Sequence, residues 1–309
     1  MTKLMTVEAA VSAAFVSCRR HACHHSNSSL ATPKSRDCGT KAVIRHFSFL
    51  AGQPVFDFVF SMATTQLTYF GHSGFKLQTP SGKVLLIDPW LKNPLFKKGE
   101  DELRKLDRVD VICITHGHFD HVGDSVEIAS KTKENLLCTF DLAVALRNAL
   151  GFPGEDSSLV GHLGGEIHVL DGEVTARFVP AWHGAAIMPN EKSPPIYGGT
   201  PSGVVLSIRN GPTIYHTGDT DLFSDMALVP LERPIDWMLV CMGGHFTMGP
   251  ARAARAVELV KAKSVIPIHF ATFPVLTGTP EMLADELEKL GSKAQVRAMK
   301  PGETIPLSN

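Results

Sequence analysis

From about residue 62 onward the chain alternates short apolar runs with amphipathic stretches. Leu67-Thr68-Tyr69-Phe70 and Phe75-Lys76-Leu77-Gln78 predict a hairpin turning around Gly71 and Gly74, and Val84–Ile87 predicts the next strand. Val111-Ile112-Cys113-Ile114 is apolar without a break, as expected of a strand buried on both faces. Strand-like runs recur at 136–140, 174–183, 212–219 and 264–269. Helical spacing appears at 142–150 with Asp141 as N-cap, at 251–260 after Pro250, and at 281–290 after Pro280 with Thr279 as cap. The charged run Lys97-Lys98-Gly99-Glu100-Asp101-Glu102 reads as a solvated face. Residues 184–203 show no period at all, which predicts either a lid over a binding site or a solvated connection. A faint two-half order of β, β and α runs suits a sandwich of two similar halves. No repeat of fixed period is present.

Composition narrows the class. With 309 residues and 44% hydrophobic content the chain can bury a full core. A net charge of −1 gives no basic surplus for nucleic acid, and no apolar run approaches the ~20 residues of a membrane span. Residues 1–61 hold seven basic and three acidic side chains, a net of +4, which leaves −5 for the remainder. The expected organisation is an N-terminal extension over 1–61, disordered or targeting, and one folded domain over 62–309. A mitochondrial-type presequence fits the composition of the first segment, but an extension upstream of a working start at Met62 is preferred, with a cytoplasmic protein. Cys113, Cys138 and Cys241 lie in apolar runs and read as buried reduced thiols. Cys18 and Cys23 beside His24 and His25 lack a supporting pattern.

The chemistry is concentrated in Thr115-His116-Gly117-His118-Phe119-Asp120-His121, directly after the 111–114 run. Three imidazoles and a carboxylate at the carboxyl end of a strand are donors for Zn, Mn, Fe, Co or Ni. His116 and His118 precede a turn that carries Asp120 and His121, so one tetrahedral ion does not use them all and two adjacent metals are the natural reading. Three further runs end on a donor: His183, Asp219 and His269. The ordered ligand set is His116, His118, Asp120, His121, His183, Asp219 and His269.

With these residues in hand the chain resembles the metallo-β-lactamase superfamily. The closer likeness is to its small metal-dependent hydrolases, near ascorbate-6-phosphate lactonase and the N-acylphosphatidylethanolamine phospholipases. It is carried by the heptapeptide and by Tyr69-Phe70-Gly71-His72-Ser73-Gly74-Phe75, Leu86-Ile87-Asp88-Pro89-Trp90 and Tyr215-His216-Thr217-Gly218-Asp219-Thr220. Gly243-Gly244-His245-Phe246-Thr247-Met248-Gly249, Pro267-Ile268-His269-Phe270 and Thr272-Phe273-Pro274 extend it. The resemblance implies an α/β fold, a four-layer αββα metallo-β-lactamase-type sandwich. It implies one metal on His116, His118 and His183, a second on Asp120, His121 and His269, and Asp219 between them. His118 stands where a flavodiiron oxidoreductase typically has Glu. Gly244 stands where relatives often carry Asp, so whatever that Asp does is missing here.

The expected cofactors are two divalent ions, Zn first, with Mn, Fe, Co or Ni accepted by the same donors. The expected nucleophile is a hydroxide bridging the metals, with Asp120 orienting it. No G-x-S-x-G elbow suggests a serine nucleophile. His72 and His245 are candidates for substrate contact or proton donation, each set against a structural role. Asp88 suits an acceptor for a ligand imidazole N–H. His216 reads as core, and His162 and His168 as structural or exposed. The expected substrate is a small molecule carrying a carboxylic ester or lactone, with Phe246, Met248 and Phe273 near the site. A phosphodiester, or metal binding without turnover, are the alternatives. No nucleic-acid partner is expected, and the oligomeric state stays open.

Overall fold

The computed structural model describes residues 64–132, 135–154 and 159–309. The expectations for residues 1–61, including Cys18, Cys23 and the Met62 start, lie outside the described residues.

The first half begins with β1 (Thr65–Gly71), β2 (Gly74–Gln78) and β3 (Val84–Ile87), an antiparallel meander at the predicted positions. The short helix α1 (Gly99–Lys105) then leads to β4 (Val111–Cys113), which pairs parallel to β3. After β4 come α2 (Phe119–Val122), α3 (Ser125–Thr132), β5 (Asn135–Thr139), α4 (Phe140–Leu150) and β6 (Val160–Gly161). The second half repeats the plan. β7 (Glu166–Val169), β8 (Val174–Pro180), β9 (Ser202–Ile208) and β10 (Thr213–His216) are antiparallel. β11 (Trp237–Cys241), α5 (Pro250–Val260), β12 (Ser264–Ile268), α6 (Pro280–Lys289) and β13 (Gln295–Val296) continue in parallel. The last strand, β14 (Thr304–Leu307), returns to the first half and pairs antiparallel with β1. The result is two seven-stranded sheets, ordered β14-β1-β2-β3-β4-β5-β6 and β13-β12-β11-β10-β9-β8-β7.

Strand alternation sorts the side chains into layers. Leu85, Ile87, Val111, Cys113 and Leu137 join Phe178, Val204 and Leu206 in the cluster between the sheets. Their neighbours Leu86, Ile112 and Leu136 point the other way, onto Ile128 of α3 and Leu142, Ala143 and Leu146 of α4. Ala253, Ala254 and Val257 of α5 and Leu283 and Leu287 of α6 cover the second sheet. This is the four-layer α/β sandwich expected. Cys113, Cys138 and Cys241 are buried free thiols, as expected. Among the described residues no helix is long and apolar enough to cross a membrane.

Three local expectations need correction. The N-cap of α4 is Thr139, because the chain turns helical at Phe140 straight out of β5. Asp141 sits inside the first turn, where its carboxylate faces the positive end of the helix dipole. Thr279 does cap α6, accepting from the Met282 N–H. Met248 lies next to the site, its N–H bonded to the Thr220 carbonyl at 3.2 Å, but its side chain is fully buried in the core and closed to substrate. Residues 184–203 are not unstructured: Ile187 and Ile196 form an antiparallel bridge with N–H···O distances of 2.8 and 2.9 Å, and Ser202 already belongs to β9. Ile187 is buried, so the base of this hairpin is anchored while its tip stands in solvent.

Candidate metal centre

Every parallel strand of both sheets ends at the same edge, and the seven predicted donors lie on the loops that leave it. Strand β4 delivers Thr115 to His118, and the single turn of α2 then places Asp120 and His121. Strand β8 leads to His183, β10 to Asp219 and β12 to His269. Gly117 separates two of the donors for a steric reason. A Cβ there would lie 2.6 Å from the Ala185 carbonyl and from Ile187 Cγ1, so only glycine lets the anchored hairpin approach.

The donors meet in three overlapping groups. His116, His118 and His183 form one; His116, His121 and Asp219 form another; His72, Asp120, His121 and His269 form the third. Within each group the ligand atoms lie within 4.8 Å of one another. Asp219 touches both sides: Oδ1 is 3.2 Å from His121 Nε2, and Oδ2 is 2.9 Å from His269 Nε2 and 3.5 Å from His183 Nε2. His116 Nε2 and His118 Nδ1 are 3.0 Å apart.

Hydrogen bonds around the donors decide which lone pairs face inward. The Asp88 carboxylate accepts from the Thr115 N–H at 2.8 Å, from the Thr115 hydroxyl at 2.7 Å and from His121 Nδ1 at 2.7 Å. His121 therefore keeps a proton on Nδ1, and Nε2 is the atom that turns towards Asp219. The Thr115 hydroxyl, already donating to Asp88, accepts from His116 Nδ1 at 3.1 Å and turns that ring in the same sense. His121 Nε2 and Asp219 Oδ1 are both buried and have no hydrogen-bond partner among the described residues, although they face each other. Two lone pairs at that separation repel unless a cation or a proton lies between them. The donor set thus fits divalent metal, and Asp88 occupies the place expected of it.

The electrostatics agree. Burial pushes the His116, His118 and His183 imidazoles below their ordinary range, towards the neutral form that binds metal. Burial also pulls His269 down, but the Asp219 and Asp120 carboxylates outweigh it and raise this group to about 9. His121 is raised in the same way, by Asp219 and Asp88 against burial, so without metal a proton fills the gap to Asp219 that a cation would take over. Asp120 and Asp219 are held below the usual carboxylate range by the imidazoles, which overcome the opposing effect of burial.

His72 and His245, the two candidates outside the ligand set, stand in contrast. His72 is fully buried at the β1–β2 turn. Its Nε2 lies 2.8 Å from Asp120 Oδ2 and its Nδ1 2.7 Å from the Thr272 hydroxyl. Because Asp120 is ionised, Nε2 donates to it and Nδ1 accepts from Thr272. Burial takes His72 down to about 4, despite the Asp120 carboxylate that raises it. His245 is exposed on the loop after β11, its ring 4.4 Å from that of Phe246. His216 is core, donating from Nε2 to the Ser73 carbonyl at 2.9 Å and accepting the Gly218 N–H on Nδ1 at 3.0 Å. It thereby shapes the turn that presents Asp219. His162 and His168 are exposed.

Sequence reading did not single out Thr115, Thr272 or Ser202. Ser202 donates through its hydroxyl and its N–H to the Thr115 carbonyl, at 3.0 and 3.2 Å. Small hydroxyl residues leave no signal in a hydropathy pattern, and only their position after a ligand strand marks them.

Comparison with known proteins points the same way. A family described as "Beta-lactamase superfamily domain" matches residues 83–270. A UPF0173 metal-dependent hydrolase from Thermodesulfovibrio yellowstonii is 49% identical over 252 residues, covering 81% of this chain and 94% of the relative. One from Myxococcus xanthus is 45% identical over 243 residues, covering 79% and 84%. Among solved structures, Igni18, a metallo hydrolase from Ignicoccus hospitalis, superimposes with a TM-score of 0.68 at 32% identity, covering 80% of this chain and 99% of its own.

Proposed function

This chain belongs to the β-lactamase superfamily and, within it, to the UPF0173 metal-dependent hydrolases; from that premise we propose that it cleaves carboxylic esters or lactones at a two-metal centre. The observation that carries the metal reading is the buried, unpartnered pair His121 Nε2 and Asp219 Oδ1, 3.2 Å apart. His116, His118 and His183 would hold one ion, and Asp120, His121 and His269 the other, with Asp219 between them. When bound, such ions supply Lewis acidity and a water acidic enough to attack near neutral pH.

The protein's own groups do the rest. Asp120 engages His72 through Oδ2, which leaves Oδ1 free among the described residues to accept a hydrogen bond from the attacking water and aim it. His72 is out of reach of substrate and acts by fixing that carboxylate. His245, exposed on its loop, is the histidine able to meet the substrate and give a proton to the departing oxygen. Support for an ester or lactone over a phosphodiester comes from the apolar side chains beside the ligands: Phe119, between His118 and Asp120, is 64% exposed, and the Phe273 ring lies 5.9 Å from that of His72.

The test is metal content by mass spectrometry together with turnover of p-nitrophenyl butyrate and bis-p-nitrophenyl phosphate, each with and without chelator. The expected result is close to two metals per chain and ester cleavage that chelator abolishes. Cleavage of the phosphodiester alone would replace this reading with a phospholipase-like one, and bound metal with neither activity would point to binding without turnover.

A further inference from the structure

Aromatic side chains are placed unusually around this centre. Phe119 lies between His118 and Asp120, yet its side chain is 64% exposed. Its ring centroid is 5.7 Å from that of Trp90 and 6.5 Å from that of Phe273, and Trp90 and Phe273 stack at 6.1 Å. Both of the latter also touch His72, at 5.4 and 5.9 Å, and His72 holds Asp120. The loop after β3, the first residue of α2 and the loop after β12 thus build a single apolar wall that runs from beside Asp120 out to solvent. None of the three rings is needed to close the core, since Trp90, Phe119 and Phe273 all stay outside the two buried clusters. Phe119 is exposed and Trp90 and Phe273 are half-buried, and an apolar surface left partly open beside a reacting centre suits an apolar ligand.

We propose that Trp90, Phe119 and Phe273 form the subsite for an apolar, uncharged acyl group, so that the substrate is a neutral ester or lactone with an aryl or extended alkyl chain next to the scissile carbonyl. This rests on the hydrolase reading above and narrows it. The rings stand against one another at interplanar angles of 76°, 28° and 59°, so they form one contiguous apolar face rather than a cage. An aryl or extended alkyl chain can lie along such a face, whereas a quaternary ammonium group needs rings on several sides. A carboxylate there would have to shed its water against apolar ring surfaces, a desolvation cost that an aryl or alkyl chain does not meet.

The experiment uses metal-loaded full-length protein and methyl esters, whose leaving group is too small to occupy the wall, followed by proton release. Methyl phenylacetate and methyl octanoate are each expected to exceed methyl acetate in kcat/KM by about tenfold or more, and the anionic monomethyl succinate is expected to fall below it. In Phe273→Ala and Phe119→Ala that ratio is expected to collapse towards one, and Phe119→Leu to recover most of it. Binding is read separately in chelator-treated protein by saturation-transfer NMR to phenylacetone, a non-hydrolysable analogue of methyl phenylacetate. Transfer to its ring protons is expected in wild type and lost in Phe273→Ala. Equal kcat/KM for all neutral esters, preference for the succinate, or phenylacetone contact that survives both alanine variants would overturn the subsite. If no methyl ester is cleaved, the ester reading fails, and the NMR signal still decides whether the wall binds an apolar group.

Discussion

The backbone N–H of His269 donates to the backbone carbonyl of His72 at 2.8 Å, tying the end of β12 in one sheet to the β1–β2 turn of the other. Both residues have left-handed backbones, with φ of 56° each. Asp88 (φ 43°) and His245 (φ 59°) share this conformation on the same edge. Non-glycine residues hold such angles only where surrounding contacts over-determine them. At His72 those contacts are Asp120, Thr272 and the Tyr69 hydroxyl, which donates to the same carbonyl at 3.1 Å.

Replacing His72 by Ala removes both ring hydrogen bonds and keeps the unfavourable backbone. Chelated His72→Ala protein is expected to lose about 2–3 kcal/mol of unfolding free energy in urea titrations. His72→Gly should be more stable than His72→Ala by about 1 kcal/mol, because glycine adopts the angle without cost. Equal stability of the two variants would show that the backbone angle stores no strain.

Asp88 never reaches the metal positions, but it sets the tautomer of His121. Asp88→Asn is expected to weaken metal binding by about 10- to 100-fold, measured by competition with a chromophoric chelator. An unchanged affinity would remove His121 from the ligand set.

Metal uptake should release protons. His269, raised to about 9, is protonated in the metal-free protein at neutral pH, and its Nε2 faces Asp219 and Asp120 where an ion would bind. Metal and proton compete, so apparent affinity is expected to climb as pH rises from 7 to about 9 and then level off. Calorimetry in buffers of different ionisation enthalpy counts the protons, and a pH-independent affinity would contradict the assignment of His269 as a ligand.

Gly117→Ala forces a methyl group against Ala185 and Ile187. The hairpin must move away, with an expected cost of about 2 kcal/mol and weaker metal binding at His116, His118 and His183. Limited proteolysis within 188–195 should speed up in this variant, and an unchanged cleavage rate would mean that the hairpin is anchored elsewhere.

Much of this architecture is legible in the sequence. The continuous apolar run at 111–114 and the alternating ones at 67–70 and 75–78 carry their strand identity locally, since side-chain period follows from backbone geometry. Thr279 and Pro280 mark the start of α6 for the same reason. The 187–196 bridge escaped notice because one pair of hydrogen bonds between irregular segments has no period. Strand β14 escaped because its partner, β1, lies more than two hundred residues earlier.

The sequence by itself determined which donors stand at strand ends, because strand period and the turn after it are local properties. Only the tertiary structure decided which lone pairs face one another. His121 takes its tautomer from Asp88, 33 positions earlier, and His72 takes its own from Asp120 and Thr272, 48 and 200 positions away. Those separations are bridged by sheet pairing and burial, which act on the folded chain as a whole. The aromatic wall belongs to the same class, because Trp90, Phe119 and Phe273 become one surface only when segments that follow β3, β4 and β12 converge from two sheets.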